Sequence, residues 1–453
     1  MSNQIEGPTA EGVPLTRLLQ RIVDVKPDEV RALLWSCLYF FCVLSAYYII
    51  RPVRDDMGVA GGVRNLPWLF TGTLAGMLIC NPPYAALVAK LSRLRFVSIT
   101  YRFFMANIVI FFLLLRVADE AQYIWIGRFF FIWTSVFNLF VVSVFWAFMA
   151  DLFTNAQGKR LFGFIGAGGT LGGIVGSGFT AFLAQRLGPT MLLWGSIVLL
   201  EIAVLCVRRL SRLSEGFREG RRTEASARPI GGKVMAGMTH VFKSSYLLGI
   251  CGYMLLYTIA ATFLYFEQAD IVDRNFVDRA VRTAFFARID LLTNVLTLGT
   301  QLFLTGRILR ILGVGLTLTL LPALCVIGFG TVGMMPTLAV IMIFQTLRRA
   351  GNFAVARPTR EVLYTVVERE DRFKAKSFID TFVYRAGDQV GAWSYALMGA
   401  IGLSMVGIAW VAVPMSAVWL VLALWLGRRQ EALTLLPSIR SSRESPALPI
   451  SIQ

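Results

Sequence analysis

Ala32-Leu33-Leu34-Trp35-Ser36-Cys37-Leu38-Tyr39-Phe40-Phe41-Cys42-Val43-Leu44-Ser45-Ala46-Tyr47-Tyr48-Ile49-Ile50 is an apolar run of nineteen residues without a charge. A helix needs roughly 20 apolar residues to cross the hydrocarbon of a bilayer, so this run reads as a membrane span. The same pattern recurs on both sides of it. Spans are predicted over 32–50, 66–89, 96–116, 124–150, 161–185, 189–207, 246–266, 284–305, 311–332, 336–356, 378–400 and 404–426. The expected fold class is therefore an all-α polytopic membrane protein of about twelve helices.

Composition agrees. Of 453 residues, 56% are hydrophobic and 16% are charged, against roughly 25% charged in an ordinary soluble domain. Mean hydropathy is +0.65. A soluble domain of this length cannot hide so much apolar surface. Residues 1–31 are polar and mixed in charge, without the short apolar core and small residues of a cleaved signal.

A net charge of +17 invites a nucleic-acid reading, which the placement of the charges opposes. Arg17, Arg21, Lys26 and Arg31 precede the first span. Lys90, Arg93 and Arg95 follow the second. Arg208, Arg209, Arg212, Arg218, Arg221, Arg222, Arg228 and Lys233 fill the central loop, and Arg428, Arg429, Arg440 and Arg443 the tail. Counting spans, all fall on one side, as the positive-inside rule requires of cytoplasmic segments. The expectation is a multi-pass protein of a bacterial inner (plasma) membrane with both termini cytoplasmic. Lipid surrounds it and no nucleic acid binds. The predicted organisation is a cytoplasmic N-terminal segment 1–31, a six-helix bundle 32–207, a basic linker 208–245, a second six-helix bundle 246–427 and a cytoplasmic tail 428–453.

The six cysteines lie in or at the ends of spans, without metal-ligand spacing, and His240 is the single histidine. Histidine-based metal or triad chemistry is thereby disfavoured and no cofactor is expected.

The two halves look related. Leu91-Ser92-Arg93-Leu94-Arg95 follows span two, and Gly306-Arg307-Ile308-Leu309-Arg310 follows span eight. Asp151-Leu152-Phe153-Thr154 ends span four, and Val362-Leu363-Tyr364-Thr365 follows span ten. A near-constant offset is the mark of an internal repeat. Basic turns after spans two and eight resemble the major-facilitator architecture, in which two six-helix halves rock about a midplane site.

Charge in hydrocarbon is costly and usually faces a cavity or a partner. Span eight carries Asp290, Asn294, Thr297 and Gln301 on one helical face, and span eleven carries Asp380, Tyr384 and Asp388. Span ten carries Arg349, Asn352 and Arg360, and span four opens with Arg128. Such stripes predict a water-filled path. Arginine offers a flat, permanently charged fork that suits phosphate or carboxylate, so a cavity lined by Arg128, Arg288, Arg349 and Arg385 would suit an anion. The alternative is structural pairing within helices, as between Arg357 and Glu361 or between Arg385 and Asp388. Gly163 to Gly178 reads GFIGAGGTLGGIVGSG. It opens a span rather than a βαβ unit, so it predicts close helix packing rather than a dinucleotide cradle.

Several segments resemble the ATP/ADP translocase family, the nucleotide transporters of plastids and intracellular bacteria. Phe145-Trp146-Ala147-Phe148-Met149-Ala150-Asp151, followed by Gly158-Lys159-Arg160 and the glycine-rich stretch, is similar to the family's FW…AN, basic turn and span five. Pro358-Thr359-Arg360-Glu361-Val362-Leu363-Tyr364 resembles PTKE…Y. Lys374-Ala375-Lys376 resembles KGKA, Ile379-Asp380 resembles VDV, and Arg385-Ala386-Gly387-Asp388-Gln389-Val390-Gly391 resembles R…GKSGG. Arg51-Pro52-Val53-Arg54-Asp55 is similar to RxxKD. The resemblance implies nucleotide exchange by alternating access. Carried over position by position, it points to Arg54, Glu361, Asp380 and Arg385. The chain departs where Arg54 replaces a lysine, Asp388 a lysine and Asp151 an asparagine.

The substrate-binding candidates are thus Arg54, Arg128, Arg288, Asn294, Arg349, Glu361 and Arg385, and the coupling or proton candidates Asp290, Asp380 and Asp388. The leading expectation is a monomeric transporter of nucleotides or a related small organic anion. The alternatives are a proton-coupled carrier of another solute and a non-transporting membrane receptor. No nucleophile–base or metal constellation points to an enzyme.

Overall fold

The computed structural model describes residues 25–27, 29–90, 93–218, 244–367, 375–376 and 378–443. Among these the chain is helical throughout. The first half holds α1 (Val30–Ala60), α2 (Leu66–Lys90), α3 (Arg93–Val117), α4 (Glu120–Leu152), α5 (Asn155–Leu187) and α6 (Pro189–Arg218). The second holds α7 (Ser245–Asn275), α8 (Arg279–Phe303), α9 (Thr305–Met334), α10, α11 and α12 (Met405–Arg443). Helix α10 runs as Leu338–Gly351, a π-helical turn Asn352–Ala356 and a continuation Arg357–Leu363. Helix α11 begins with a second π-helical turn, Ile379–Val383, and continues as Tyr384–Ala400.

Eight of the helices are long and apolar enough to cross a membrane. Helices α2, α8, α10 and α11 fall short of that measure: α2 carries Asn81, Pro82 and Pro83, α8 carries the polar stripe, and π turns interrupt α10 and α11. Within each half the described connections are short, so the helices that they join run antiparallel. One end of the bundle gathers the basic turns and is called the basic end below. The other, where α1 meets α2 and α7 meets α8, is the far end.

Hydropathy sets where helices are buried, whereas caps set where they start. Helix α4 starts at a capping box in which Gln122 N donates to Asp119 Oδ1 at 2.8 Å, and α5 at one built by Thr154 and Gln157. Asp278 caps α8 through Val281 N at 2.9 Å. These starts lie several residues ahead of the predicted ones. Between α8 and α9, residues 305–312 are helical rather than a turn, and the chain breaks at Gly313, whose φ of 68° suits glycine. Helix α6 runs to Arg218, so Arg208, Arg209 and Arg212 are its last turns and not loop. Residues 1–24, the rest of the linker with His240, Leu91-Ser92, Lys374 and the end of the tail lie outside the described residues.

Buried apolar side chains form two main clusters, one centred on α1, α3, α4 and α6, the other on α7, α9, α11 and α12. The glycine-rich stretch packs helix on helix. A methyl group at Gly172 or Gly176 would overlap the backbone carbonyls of Phe41 or Ser45 on α1. Ser45 Oγ donates to Gly172 O at 2.8 Å across this seam. That close approach is what small residues permit between membrane helices.

Candidate functional site

Between the halves lies a hollow of three neighbouring chambers that share lining residues. The largest, 890 Å3, is walled by α2, α4, α7, α10 and α11. A chamber of 280 Å3 shares Leu74, Met77, Tyr384 and Arg385 with it and reaches α1 and α4. A third, 450 Å3, shares Phe353, Arg357 and Glu361 with it and reaches α1, α5 and α8. The largest is of the size that small-molecule ligands occupy. Its lining comes from the basic-end halves of α2, α7, α10 and α11.

Both π turns border it: Asn352 and Phe353 from one, Asp380, Thr381 and Phe382 from the other. A π turn shifts helical register and is enriched at functional sites. Downstream of the first, Arg357 and Arg360 enter the hollow, and neither meets a carboxylate within salt-bridge distance among the described residues. Arg360 Nη1 donates to Met254 Sδ at 2.7 Å and its guanidinium lies 5.2 Å from the Tyr257 ring centre. Glu361 accepts instead from Lys376 Nζ, so the expected Arg357–Glu361 pair does not form. Arg385 Nη1 meets Asp388 Oδ2 at 3.3 Å, as the spacing predicted. Arg54 borders the 280 Å3 chamber, stacks 4.5 Å from the Phe131 ring centre and meets Asp55 at 2.8 Å. Five basic side chains (Arg54, Arg357, Arg360, Lys376, Arg385) thus face three acids (Glu361, Asp380, Asp388) around the hollow.

The stripe of α8 faces inward. Asn294, Thr297 and Gln301 line the third chamber, and Gln301 Nε2 donates to Phe353 O at 3.3 Å. Asp290, one turn nearer the far end, is 1% exposed. Its Oδ1 accepts from Arg51 Nη1 at 2.8 Å and Arg349 Nη1 at 2.5 Å. Arg349 is therefore part of an ion triad and not of the hollow's lining. Arg128 lies toward the far end, 4.5 Å over Trp125. Arg288 is exposed on the outer face of α8. Neither borders the three chambers. Arg102 also faces outward, pairing with Glu201 of α6 at 3.1 Å.

The far end is shut by polar latches between the halves. Arg51 reaches Asp290, as above. Arg282 Nε donates to Asp56 Oδ1 at 2.6 Å, and Tyr265 OH to Asp55 Oδ1 at 3.0 Å. Thr71 Oγ1 donates to Gln389 Oε1 at 2.9 Å and accepts from Trp393 Nε1 at 3.1 Å, beside a Trp68–Trp393 edge contact at 4.8 Å. Sequence reasoning missed Arg51, Asp55, Asp56 and Arg282 as a group. Their signal was present: Arg51 and Asp55 are spaced i, i+4 in an apolar helix. Their partners, however, lie more than two hundred residues away.

No family model matches the chain. It is similar to ADP,ATP carrier protein 2 of Chlamydia pneumoniae, 22% identical over 512 aligned positions that cover 93% of this chain and 92% of that protein. It is also similar to ADP,ATP carrier protein 1 of Chlamydia trachomatis, 20% identical, covering 92% of each. Among solved structures, it superposes on a bacterial homologue of the iron transporter ferroportin in an inward-facing state, with TM-score 0.61, 12% identity and coverage of 88% of this chain and 98% of that one. The nucleoside transporter NupG gives TM-score 0.53, 14% identity and coverage of 90% and 99%. The chain thus shares the overall fold of these solved structures, and its sequence is similar, at 20–22% identity over most of its length, to the ADP,ATP carrier proteins of Chlamydia.

Proposed function

From that kinship we propose that this chain moves nucleotides, or a closely related organic anion, across a bacterial inner membrane by alternating access. Twelve spans in two six-helix halves, 32–207 and 246–427, would rock about the central hollow. The basic end is cytoplasmic, with the segment 1–31, the linker 208–245 and the tail 428–453 on that side. With the far-end latches closed, the hollow would be reached from the cytoplasmic side. A monomer suffices for this cycle.

The observation that carries the reading is the pair Arg357 and Arg360, which enter the largest chamber without carboxylate partners. Fixed cations beside an aqueous cavity await an anion, and guanidinium forks suit phosphate oxygens. Arg54 and Arg385 supply charge on the opposite wall, and Asn294 and Gln301 supply neutral donors for a base or sugar. Glu361, Asp380 and Asp388 offset part of the cationic charge while the site is empty. Asp388 and Asp380 face the path as proposed coupling groups, whereas Asp290 serves the latch. The test is exchange of labelled ATP against internal ADP in proteoliposomes. Folded protein that takes up no adenine nucleotide would remove this reading.

A further inference from the structure

Five acids are buried in the described structure: Glu29, Asp55, Asp56, Glu267 and Asp290. Four of them meet arginine. Glu29 is met by Arg160 at 3.0 Å, Asp55 by Arg54, Asp56 by Arg282 and Asp290 by Arg51 and Arg349. Glu267 on α7 is the exception. It is 0% exposed, and neither Oε1 nor Oε2 has a hydrogen-bond partner.

The ionisable groups that act on it offer no countercharge. On its own helix, Asp270 repels it, and Arg274 is held by Asp270 at 2.6 Å. From α11, Tyr395 packs its ring against Phe263 and Phe266 at 5.7 and 5.1 Å and brings no cation. On the α1 side, Asp55 is engaged by Tyr265 and Arg54. An unpaired carboxylate so enclosed costs several kcal/mol, which binding a proton avoids.

The position links that proton to the latches. Tyr265, two residues earlier, bonds across the halves to Asp55. Gln389 and Trp393, on the α11 segment that packs against α7, bond across to Thr71. Parting the halves at the far end would break these bonds and draw α1 and α2, with Phe70 against Phe266, away from α7 and α11, bringing water beside Glu267. We propose that Glu267 is a proton-binding site. Its carboxyl holds a proton while the far end is shut and releases it to far-side water when that end opens, leaving the carboxylate hydrated. The proposal rests on the alternating-access reading and not on the identity of the cargo.

The test needs no cargo. Purified full-length protein is compared with Glu267→Gln, which mimics the loaded site, and Glu267→Asp, which still titrates. Hydrogen–deuterium exchange of far-end segments 56–72 and 385–396 is followed at about pH 6 and about pH 9, corrected for intrinsic chemistry. Infrared spectra report the protonated-carboxyl stretch. Far-end exchange should rise several-fold with pH in the wild type and in Glu267→Asp, and stay low in Glu267→Gln. The carboxyl band of the wild type at the lower pH should be lost in Glu267→Gln. A pH response equal in wild type and Glu267→Gln, no response in the wild type, or an unchanged band in the Gln variant would each overturn the proposal. Failure of ATP exchange would remove the nucleotide reading and leave these readouts intact.

Discussion

In the proposed function, Arg357 and Arg360 are the side chains on which recognition of an anion would depend most. A hydrogen bond to a charged group is worth about 1.5–3 kcal/mol, so Arg357→Ala or Arg360→Ala should raise KM for nucleotide about 10- to 100-fold. Uptake kinetics check this, and the melting point without ligand should hardly change because neither arginine closes an ion pair. Asp290 is the opposite case. Its single carboxylate pairs with both Arg51 and Arg349 while almost fully buried. Removing one partner of a buried pair costs about 3–5 kcal/mol, since the remaining charge is stranded. Asp290→Asn should therefore lower thermal stability clearly, and adding Arg349→Met should restore part of the loss in a double-mutant cycle.

At the scale of the helix, backbone geometry decides what faces what. The α1–α5 seam tolerates no side chain at Gly172 or Gly176, whereas a methyl group at Gly166 meets nothing within 4 Å. Gly172→Ala and Gly176→Ala should depress the melting temperature in detergent, and Gly166→Ala should leave it unchanged. The π turn Asn352–Ala356 inserts one extra residue into α10. Deleting Val355 would restore α-helical register and turn Arg357 and Arg360 by about 100°. The variant should fold yet lose nucleotide binding in a thermal-shift assay. Much at this scale was legible. The glycine spacing announced close packing, and the stripe Asp290, Asn294, Thr297 and Gln301 announced an inward face. The π turns were not legible, because nothing in NFAVA or IDTFV departs from an ordinary helical pattern. Helix starts were misplaced because Asp119, Thr154 and Asp278 act as caps outside the apolar runs.

For the whole molecule, the latches and the hollow correspond to one state of the proposed cycle. A disulfide between Thr71→Cys and Gln389→Cys should hold the far end shut. Exchange should then stop, ligand binding from the basic end should persist, and a reductant should restore transport. The all-helical, multi-span fold was readable from apolar run length, which is a property of the chain alone. Pairing across the halves was not: Arg51 with Asp290 and Asp56 with Arg282 join residues 239 and 226 positions apart. A single sequence carries no register between such distant helices. Arg128 and Arg288 were grouped with the binding arginines for the same reason, since residue type does not tell which face of a helix meets the cavity.

The Arg51–Asp290–Arg349 triad has an electrical consequence. Two guanidiniums and one carboxylate leave a net positive charge inside the membrane, on helices that must part for the far end to open. An elementary charge carried across the full membrane is worth about 2.3 kcal/mol per 100 mV. In the proposed cycle, even a fractional displacement of the triad along the membrane normal would make the opening step respond to the membrane potential, so an energised membrane would bias which face of the protein is exposed.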